Sequence, residues 1–311
     1  MILNSDRFLQ EAGFRCLTLT LTTEGPYTPK DSEWNYSDVP HLNHVHTRVS
    51  GVPLACENTY SSSLFLQQIG PLQIPASLHI SHLTSDTHDY VMSILWIVIR
   101  VCTTHQPKES GGCLTKTDYR FYFRGIIGWL LASLALLSAK RNYAILMRED
   151  LPMRLQRHYL RQKGVSFFYD THQLIGFAET LKLYDNNVDI SEVGTAKRTF
   201  VLKLHNSEGE VLVSESFLRI SWSSSIVKIW PMICPHEGAD LSACRITSHS
   251  MTVSCPWHGR QLKPLVVFTP SVESSVKEFT FCHSQYVARV GYSSANPGHI
   301  ELRIGPKCPV S

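Results

Sequence analysis

The chain has little charge and no strong excess of either sign. Charged residues make up 18% of the 311 residues, and 29 basic against 26 acidic side chains leave a net charge of +3. It contains no long run of lysine or arginine. Because nucleic-acid binding needs clustered positive charge, the composition argues against a nucleic-acid partner. Hydrophobic residues make up 43%, which is typical of a folded globular protein.

The chain also lacks the marks of three other protein classes. The N-terminus, MILNSDRFLQEAGF, has no basic segment before an apolar run, so we expect no secretory signal. The nine cysteines are odd in number and irregularly spaced, which argues against a disulfide scaffold and for a reducing compartment. No G-x-G-x-x-G fingerprint occurs, so we do not expect direct use of NAD(P)H. We therefore expect a cytoplasmic protein, with association with a membrane left open by one segment.

That segment is GIIGWLLASLALLSA at residues 125–139, which contains no charge and is flanked by Arg124 and Lys140. A membrane-spanning helix needs about 20 apolar residues, so this segment is short for one. The pattern favours a helix buried in a protein core. A helix embedded in a membrane or lying on one stays the alternative.

The patterns along the chain indicate an α+β part followed by an all-β part. VMSILWIVIRV at residues 91–101 is rich in β-branched residues and predicts one buried strand, and EDLPMRLQRHYLRQKG at residues 149–164 predicts a separate helix. Later, TFVLKLH and EVLVSE around the turn NSEG predict a β-hairpin. We therefore expect an α+β domain over residues 1–184, a polar linker over 185–198 and an all-β domain over 199–311.

Two short segments near the C-terminus each combine a cysteine, a proline and a histidine. Cys234 and His236 are two residues apart in ICPHEGADL, and Cys255 and His258 are three apart in SCPWHGRQL. Each segment therefore offers one thiolate and one imidazole from a tight loop. A structural zinc site could use these donors, but zinc fingers pair cysteine with cysteine and histidine with histidine. The mixed order favours a two-iron cluster with both cysteines on one iron and both histidines on the other.

These segments resemble the signature of Rieske iron–sulfur domains, which implies a 2Fe-2S cluster that carries one electron at a time. Rieske domains of cytochrome complexes have a disulfide across the cluster, whereas Ala239 and Trp257 stand at the corresponding positions here. Arg260 replaces a serine that hydrogen-bonds the cluster in that class. We therefore expect a potential near the lower end of the Rieske range of roughly −150 to +300 mV, as in oxygenases and their ferredoxins.

A second group of metal-binding residue types lies near the N-terminus, in SDVPHLNHVH. It has the spacing Asp38-x₂-His41-x₄-His46. Two histidines and one carboxylate hold Fe(II) in many non-heme oxygenases. On a regular helix, His41 and His46 would point about 140° apart, which disfavours a shared ion unless the helix is distorted. His44 stays a rival ligand because it lies one turn from His41.

This spacing is similar to a motif of the Rieske non-heme iron oxygenases. The resemblance implies that His41 and His46 bind a mononuclear Fe(II), and that Asp38 bridges to a cluster histidine of a neighbouring subunit and passes the electron. The third ligand of that family is a carboxylate near the end of the catalytic domain, for which we choose Asp150. An acid at the start of a helix could instead serve as a cap. The alternative ligands are Glu149, Asp170 and Glu179.

The domain order is reversed relative to that family, in which the Rieske domain comes first. If the fold follows the family all the same, the N-terminal domain is an α+β domain of the helix-grip (START-like) type. A curved antiparallel sheet then wraps around a long helix and encloses an apolar cavity. We expect aromatic side chains in the cavity wall, namely Trp96, Phe121, Phe123 and Trp129.

The resemblance implies an oxidoreductase, a Rieske non-heme iron monooxygenase or dioxygenase. It would use the 2Fe-2S cluster and a mononuclear Fe(II) to oxidise a hydrophobic small molecule with O₂. The expected partners are a separate NAD(P)H-dependent reductase or ferredoxin and further copies of the chain in a trimer. The alternative is a Rieske ferredoxin-like electron carrier whose N-terminal domain binds lipid or docks on a membrane and holds no second metal. A non-catalytic binding protein with a structural or redox-sensing cluster also stays open.

Overall fold

The computed structural model divides the chain into two compact units. One comprises Met1–Tyr159 with His172–Tyr184, and the other comprises Leu160–Thr171 with Asp185–Ser311. The described residues are 5–57, 60–69, 72–84, 86–163, 165, 167, 198–203, 208–213, 217–223, 226–246, 251–268, 277–281, 286–292 and 299–306. The predicted linker, apart from residue 198, and the alternative ligands Asp170 and Glu179 lie outside them.

The N-terminal unit is built on one antiparallel sheet of seven strands. The strands are β1 (Arg15–Gly25), β2 (Val49–Glu57), β3 (Tyr60–Ile69), β4 (Leu72–Thr84), β5 (Thr87–Ile94), β6 (Ile97–Pro107) and β7 (Cys113–Phe123). Their order across the sheet is β1-β7-β6-β5-β4-β3-β2, so β1 pairs with β7 rather than with β2. Burial alternates along β6, which places Ile97, Ile99 and Val101 on the inner face.

Helices precede β1, fill the connection between β1 and β2, and follow β7. They are α1 (Ser5–Glu11), α2 (Pro29–Ser37), a 3₁₀ turn (Val39–His41), α3 (Leu42–Val45) and α4 (Gly125–Gln162). One face of α4 packs on the sheet, where Ala132 is buried in the core and Leu131 and Leu136 pack against it. A curved antiparallel sheet around one long helix is the helix-grip arrangement, so the predicted α+β fold class is confirmed.

Helix α4 is longer than the sequence patterns predict. The separate helix expected over residues 149–164 is wrong, because α4 runs without a break for 38 residues with Pro152 inside it. A proline removes one backbone donor from a helix. Packing of the neighbouring turn compensates, since Met153 and Arg154 are buried. The expectation that residues 125–139 are buried is correct only for the face toward the sheet. Of the most apolar 18 residues of α4, only 11% are buried, and the others are at least partly exposed.

Residues 91–101 form a hairpin rather than the predicted single strand. β5 ends at Ile94, Leu95 and Trp96 make the turn, and β6 begins at Ile97. The apolar run is nearly continuous because an exposed apolar turn joins partly buried residues of β5 to buried residues of β6. This corrects the expected cavity wall as well: Trp96 and Trp129 are 67% and 47% exposed. Phe123 is a core residue, and Phe121 is the predicted aromatic that lines the cavity described below.

The second unit consists of short strands in two four-stranded antiparallel sheets and one small ribbon. The strands are β8 (Arg198–Lys203), β9 (Glu208–Val213), β10 (Leu218–Ser223), β11 (Ile226–Pro231), β12 (Val253–Ser254), β13 (Gln261–Leu262), β14 (Val266–Phe268), β15 (Lys277–Phe281), β16 (Tyr286–Tyr292) and β17 (His299–Pro306). The predicted hairpin of β8 and β9 is wrong, because β8 pairs with β17 and β9 with β10. The core also includes Leu160, Val165 and Phe167, which precede the strands in sequence.

Candidate functional site

The local backbone around His41 solves the spacing problem of the N-terminal motif. His41 closes the 3₁₀ turn, α3 is a single turn, and His46 follows it in an extended conformation with φ −92° and ψ 138°. The helix therefore ends before His46, and both imidazoles turn to the same side. Their ring centroids lie 5.0 Å apart. His44, the rival ligand, is exposed and does not join them.

His41, His46 and Asp150 converge on one point. The two Nε2 atoms lie 3.1 Å apart. Asp150 Oδ1 lies 3.5 Å from His41 Nε2 and 3.2 Å from His46 Nε2. Ligands at about 2.1 Å from an ion and at right angles to one another are about 3 Å apart, so the three atoms have the spacing of one face of an octahedron. They form the one group of this kind found among the described residues.

The far nitrogen of each imidazole has an acceptor that fixes its orientation. Nδ1 of His41 donates to the backbone carbonyl of Asp38. Nδ1 of His46 donates to Glu149 Oε2 at 2.8 Å, and the other oxygen of Glu149 accepts from Thr47 Oγ1 at 2.9 Å. With the proton on Nδ1, the lone pair of each Nε2 points to the shared centre. Glu149 is thus a positioning residue, a role that the sequence analysis missed when it considered Glu149 as a rival ligand.

Asp150 lies in the interior of α4, so it does not cap a helix. Its carboxylate accepts from Asn35 Nδ2 at 3.3 Å and faces Arg154 Nη2 at 3.5 Å. Burial opposes ionisation of this carboxyl. The contacts with the imidazoles of His41 and His46 and the charge of Arg154 outweigh it, so the pKa of Asp150 falls below its ordinary value. The surroundings therefore favour the ionised carboxylate, which is the form that binds a cation.

The convergent residues lie in the wall of an apolar cavity of about 240 Å³ between the sheet and α4. The sheet contributes side chains such as Phe65, Ile80 and Phe121 to its wall. The helix contributes Ala135 and Ala139, whose small side chains leave the space open. Ala135 and Asp150 are fifteen residues apart, so the residues of α4 that line the cavity span about 22 Å of the helix. An organic molecule that enters it is surrounded mainly by hydrocarbon.

In the second unit, the two Cys-Pro-His segments fold into loops with the same backbone closure. The N–H of Cys234 donates to the carbonyl of Ala239 at 2.7 Å, and the N–H of Gly238 donates back to the carbonyl of Cys234 at 2.9 Å. In the other loop, the N–H of Cys255 donates to the residue five positions on at 2.8 Å, and the residue four positions on donates back at 2.8 Å. Both loops therefore present their cysteine from a matching turn.

Gly238 is required in the first of these loops. Its φ is +86°, a conformation that side chains disfavour. A Cβ atom here would also lie 2.6 Å from the ring of Phe167 and 2.9 Å from Leu160. The loop therefore packs against the segment that precedes the strands of this unit.

The loops bring the four predicted donors together in pairs of the same kind. The buried thiol of Cys234 donates a hydrogen bond to the sulfur of Cys255, which raises the pKa of Cys234 and lowers that of Cys255. The rings of His236 and His258 have centroids 4.9 Å apart. Cys255 Sγ lies 3.9 Å from His258 Nδ1. A sulfur pair thus lies beside an imidazole pair.

Residues 197–266 match the family model of the Rieske [2Fe-2S] domain. The second unit therefore contains a Rieske domain, and the chain has a role in electron transfer. The match includes Cys234, His236, Cys255 and His258 and does not extend to the N-terminal unit. No curated protein matches the chain in sequence.

The donors of the Rieske domain fit its cluster. The family places both cysteines on one iron and both histidines on the other, and the two pairs described above are arranged in that way. Ala239 and Trp257, which stand in place of the disulfide cysteines, are buried beside the donors. The expected 2Fe-2S cofactor is thus supported in place of the zinc alternative.

Solved structures resemble the N-terminal part of the chain at low similarity. The Zhui aromatase/cyclase from Streptomyces sp. R1128 has 8% identity and a TM-score of 0.42, over 46% of this chain and 96% of that one. TTHA0849 from Thermus thermophilus has 13% identity and a TM-score of 0.38, over 43% and 94%. Truncated norcoclaurine synthase from Thalictrum flavum has 10% identity and a TM-score of 0.29, over 40% and 93%. These values carry no information about the activity of this chain.

Proposed function

We propose that the chain is a Rieske-type oxygenase in which the Rieske domain delivers electrons to a mononuclear non-heme iron. The supporting observation is the convergence of His41, His46 and Asp150, whose donor atoms are 3.1–3.5 Å apart at an apolar cavity. Fe(II) held by such donors supplies O₂ activation for the oxidation of an organic substrate. Proteins with a Rieske domain alone have no need for a second group of this kind.

The roles of the surrounding residues follow from their contacts. Asp150 supplies the negative charge that balances the cation, and Asn35 and Arg154 hold its carboxylate. Glu149 and the carbonyl of Asp38 hold the imidazoles with Nε2 toward the centre. The apolar wall of the cavity binds a hydrophobic substrate and keeps water away from the reacting carbon.

The electron path and the partners belong to the same proposal. Asp38 lies beside the metal-binding group, with Oδ2 at 3.8 Å from His41 Nδ1, which suits a relay from a cluster histidine of a neighbouring subunit. Transfer between subunits needs a closed ring, and we propose the trimer that the resemblance implies. Because no dinucleotide fingerprint occurs, the electrons come from a separate NAD(P)H-dependent reductase or a ferredoxin.

A second candidate is an electron carrier with a lipid-binding or membrane-docking N-terminal unit and no second metal. It is favoured by the exposed apolar side of α4. Iron content separates the two functions, because an oxygenase needs one iron more than its cluster.

The test is to count iron and acid-labile sulfide in the anaerobically purified full-length chain and in two variants. We expect about three irons and two sulfides per chain. His41→Ala removes one ligand, so it is expected to contain about two irons with an unchanged visible spectrum of the cluster. The matched control, His44→Ala, changes an exposed histidine three residues away and is expected to keep all three. Two irons in the wild type, or a third iron that survives His41→Ala, would contradict the proposal.

A further inference from the structure

The outer face of α4 carries a continuous row of large apolar side chains. Ile126, Leu130, Leu134 and Leu137 recur at helical spacing and are at least half exposed, as is Ile127 beside them. By length and composition α4 could cross a membrane, yet 11% of its most apolar 18 residues are buried. Exposed apolar rows of this size mark interaction surfaces in soluble proteins.

The turn between β5 and β6 extends this apolar surface. Ile97, the first residue of β6, pairs with Phe123, and α4 begins at Gly125, so the turn lies close to the first turn of α4. Leu95 and Trp96 form the turn with 69% and 67% exposure. Leu95 has a φ of 51°, a conformation that usually selects glycine or asparagine. Leu95 therefore exposes a large apolar side chain at a position where a small polar residue would strain the backbone less and interact better with water.

The part of α4 that carries this row has positive charge and no negative charge. Arg124, Lys140, Arg141 and Arg148 are exposed, and no acid occurs in the sequence from residue 124 to residue 148. Apolar side chains bordered by lysine and arginine, with a tryptophan at the edge, suit the boundary between headgroups and acyl chains of an anionic bilayer. A second copy of the chain docked face to face would instead bring these cations against one another.

We propose that the N-terminal unit docks on an anionic lipid surface through this face, defined by the exposed apolar residues of α4 and by Leu95 and Trp96. The helix lies along the surface and does not cross it, because its opposite face packs on the sheet and holds Asp150 and Arg154 in the buried interior. The proposal goes beyond the oxygenase function and does not depend on it, since it uses none of the metal-binding residues.

The test is flotation of the full-length chain with vesicles of phosphatidylcholine, alone or with about one third phosphatidylglycerol. We expect binding to the anionic vesicles at about 0.1 M salt and weaker binding at about 1 M salt. The variant Trp96→Ser/Leu130→Gln/Leu134→Gln is expected to lower the partition coefficient at least about tenfold. The control Val52→Thr/Leu54→Gln changes equally exposed apolar residues of β2 and is expected to bind like the wild type. Iron content and helical circular dichroism report whether each variant is folded.

Three outcomes would overturn the proposal. The first is a wild type that stays unbound in all vesicles, and the second is a triple variant that is folded and binds as well as the wild type. The third is a wild type that self-associates without lipid, as measured by sedimentation, while the triple variant is monomeric, since the face would then join copies of the chain. Lys140→Gln/Arg141→Gln separates the charge from the apolar contribution, because it is expected to lower binding only to the anionic vesicles.

Discussion

At the level of single residues, the proposed iron site depends on the contact between Glu149 and His46. Glu149→Ala removes the acceptor for Nδ1 of His46, so the ring is free to rotate and Nε2 loses its direction. We expect Fe(II) affinity to fall about 10- to 100-fold, as for similar partners of ligating histidines. Anaerobic equilibrium dialysis of the protein with its cluster intact measures the change. Glu149→Gln keeps an acceptor oxygen and is expected to lose less.

The matched control is Glu109→Ala, which removes an exposed glutamate from the same unit. It is expected to bind Fe(II) like the wild type. If Glu149→Ala also binds Fe(II) normally, the hydrogen bond does not position His46. If Glu149→Gln is as defective as Glu149→Ala, the charge of Glu149 matters more than its geometry.

Much of the candidate site is visible in the sequence, and the missing parts have a physical reason. The pairs of cysteine and histidine are local, so their spacing alone indicates their chemistry. Asp150 is more than a hundred residues from His41, and only the family resemblance selects it as a candidate. The role of Glu149 depends on which side of α4 faces His46. That cannot be read from a pattern that predicts the wrong helix start.

At the level of elements, helix α4 shows where sequence patterns fail. Pro152 and the acids before it resemble a helix start, but buried contacts on both sides of the proline keep the helix continuous. In the same way, the apolar run of residues 91–101 hides a turn, because Leu95 and Trp96 are as apolar as the strands they join. The error at β8 and β9 has another cause. β8 pairs with β17, which is distant in sequence, and β9 pairs with β10, which is next in sequence. Short-range patterns do not show which of these partners a strand takes.

The cavity depends on the small side chains of α4. Ala139→Phe places a ring in a space of about 240 Å³, so an apolar fluorophore such as N-phenyl-1-naphthylamine is expected to bind about tenfold more weakly, a loss of roughly 1.4 kcal/mol. Ala144→Phe is the control, because Ala144 is exposed on the same helix. Fluorescence titration measures both. Equal binding by the two variants would mean that the probe does not enter this cavity.

At the level of the whole molecule, the Rieske unit includes chain that precedes the strands. Phe167 is 1% exposed in its core and contacts the position of Gly238 in the first cluster loop. We expect Phe167→Ala to destabilise this unit by about 3 to 5 kcal/mol, because a large core side chain leaves a cavity. Loss of the visible cluster absorbance in a urea titration reports unfolding of this unit.

Phe8→Ala is the matched control, since Phe8 is 68% exposed in the other unit. Its urea midpoint is expected to equal that of the wild type. A Phe167→Ala midpoint that is also unchanged would show that residues 160–167 are dispensable for the Rieske core. A sequence boundary drawn at residue 199 omits this segment, because a few apolar residues after a helix carry no sign of the sheet they join.

The backbone conformation of Leu95 lowers the free energy of unfolding, and other contacts of the fold must offset this loss. A leucine in the left-handed region loses about 1–2 kcal/mol relative to glycine, and its exposed side chain regains little of that in water. Glycine at this position would give a more stable hairpin with a less apolar turn. A large apolar side chain at this strained turn therefore adds exposed apolar surface and lowers the stability of the hairpin, which is the arrangement expected if the lipid surface proposed above covers the turn.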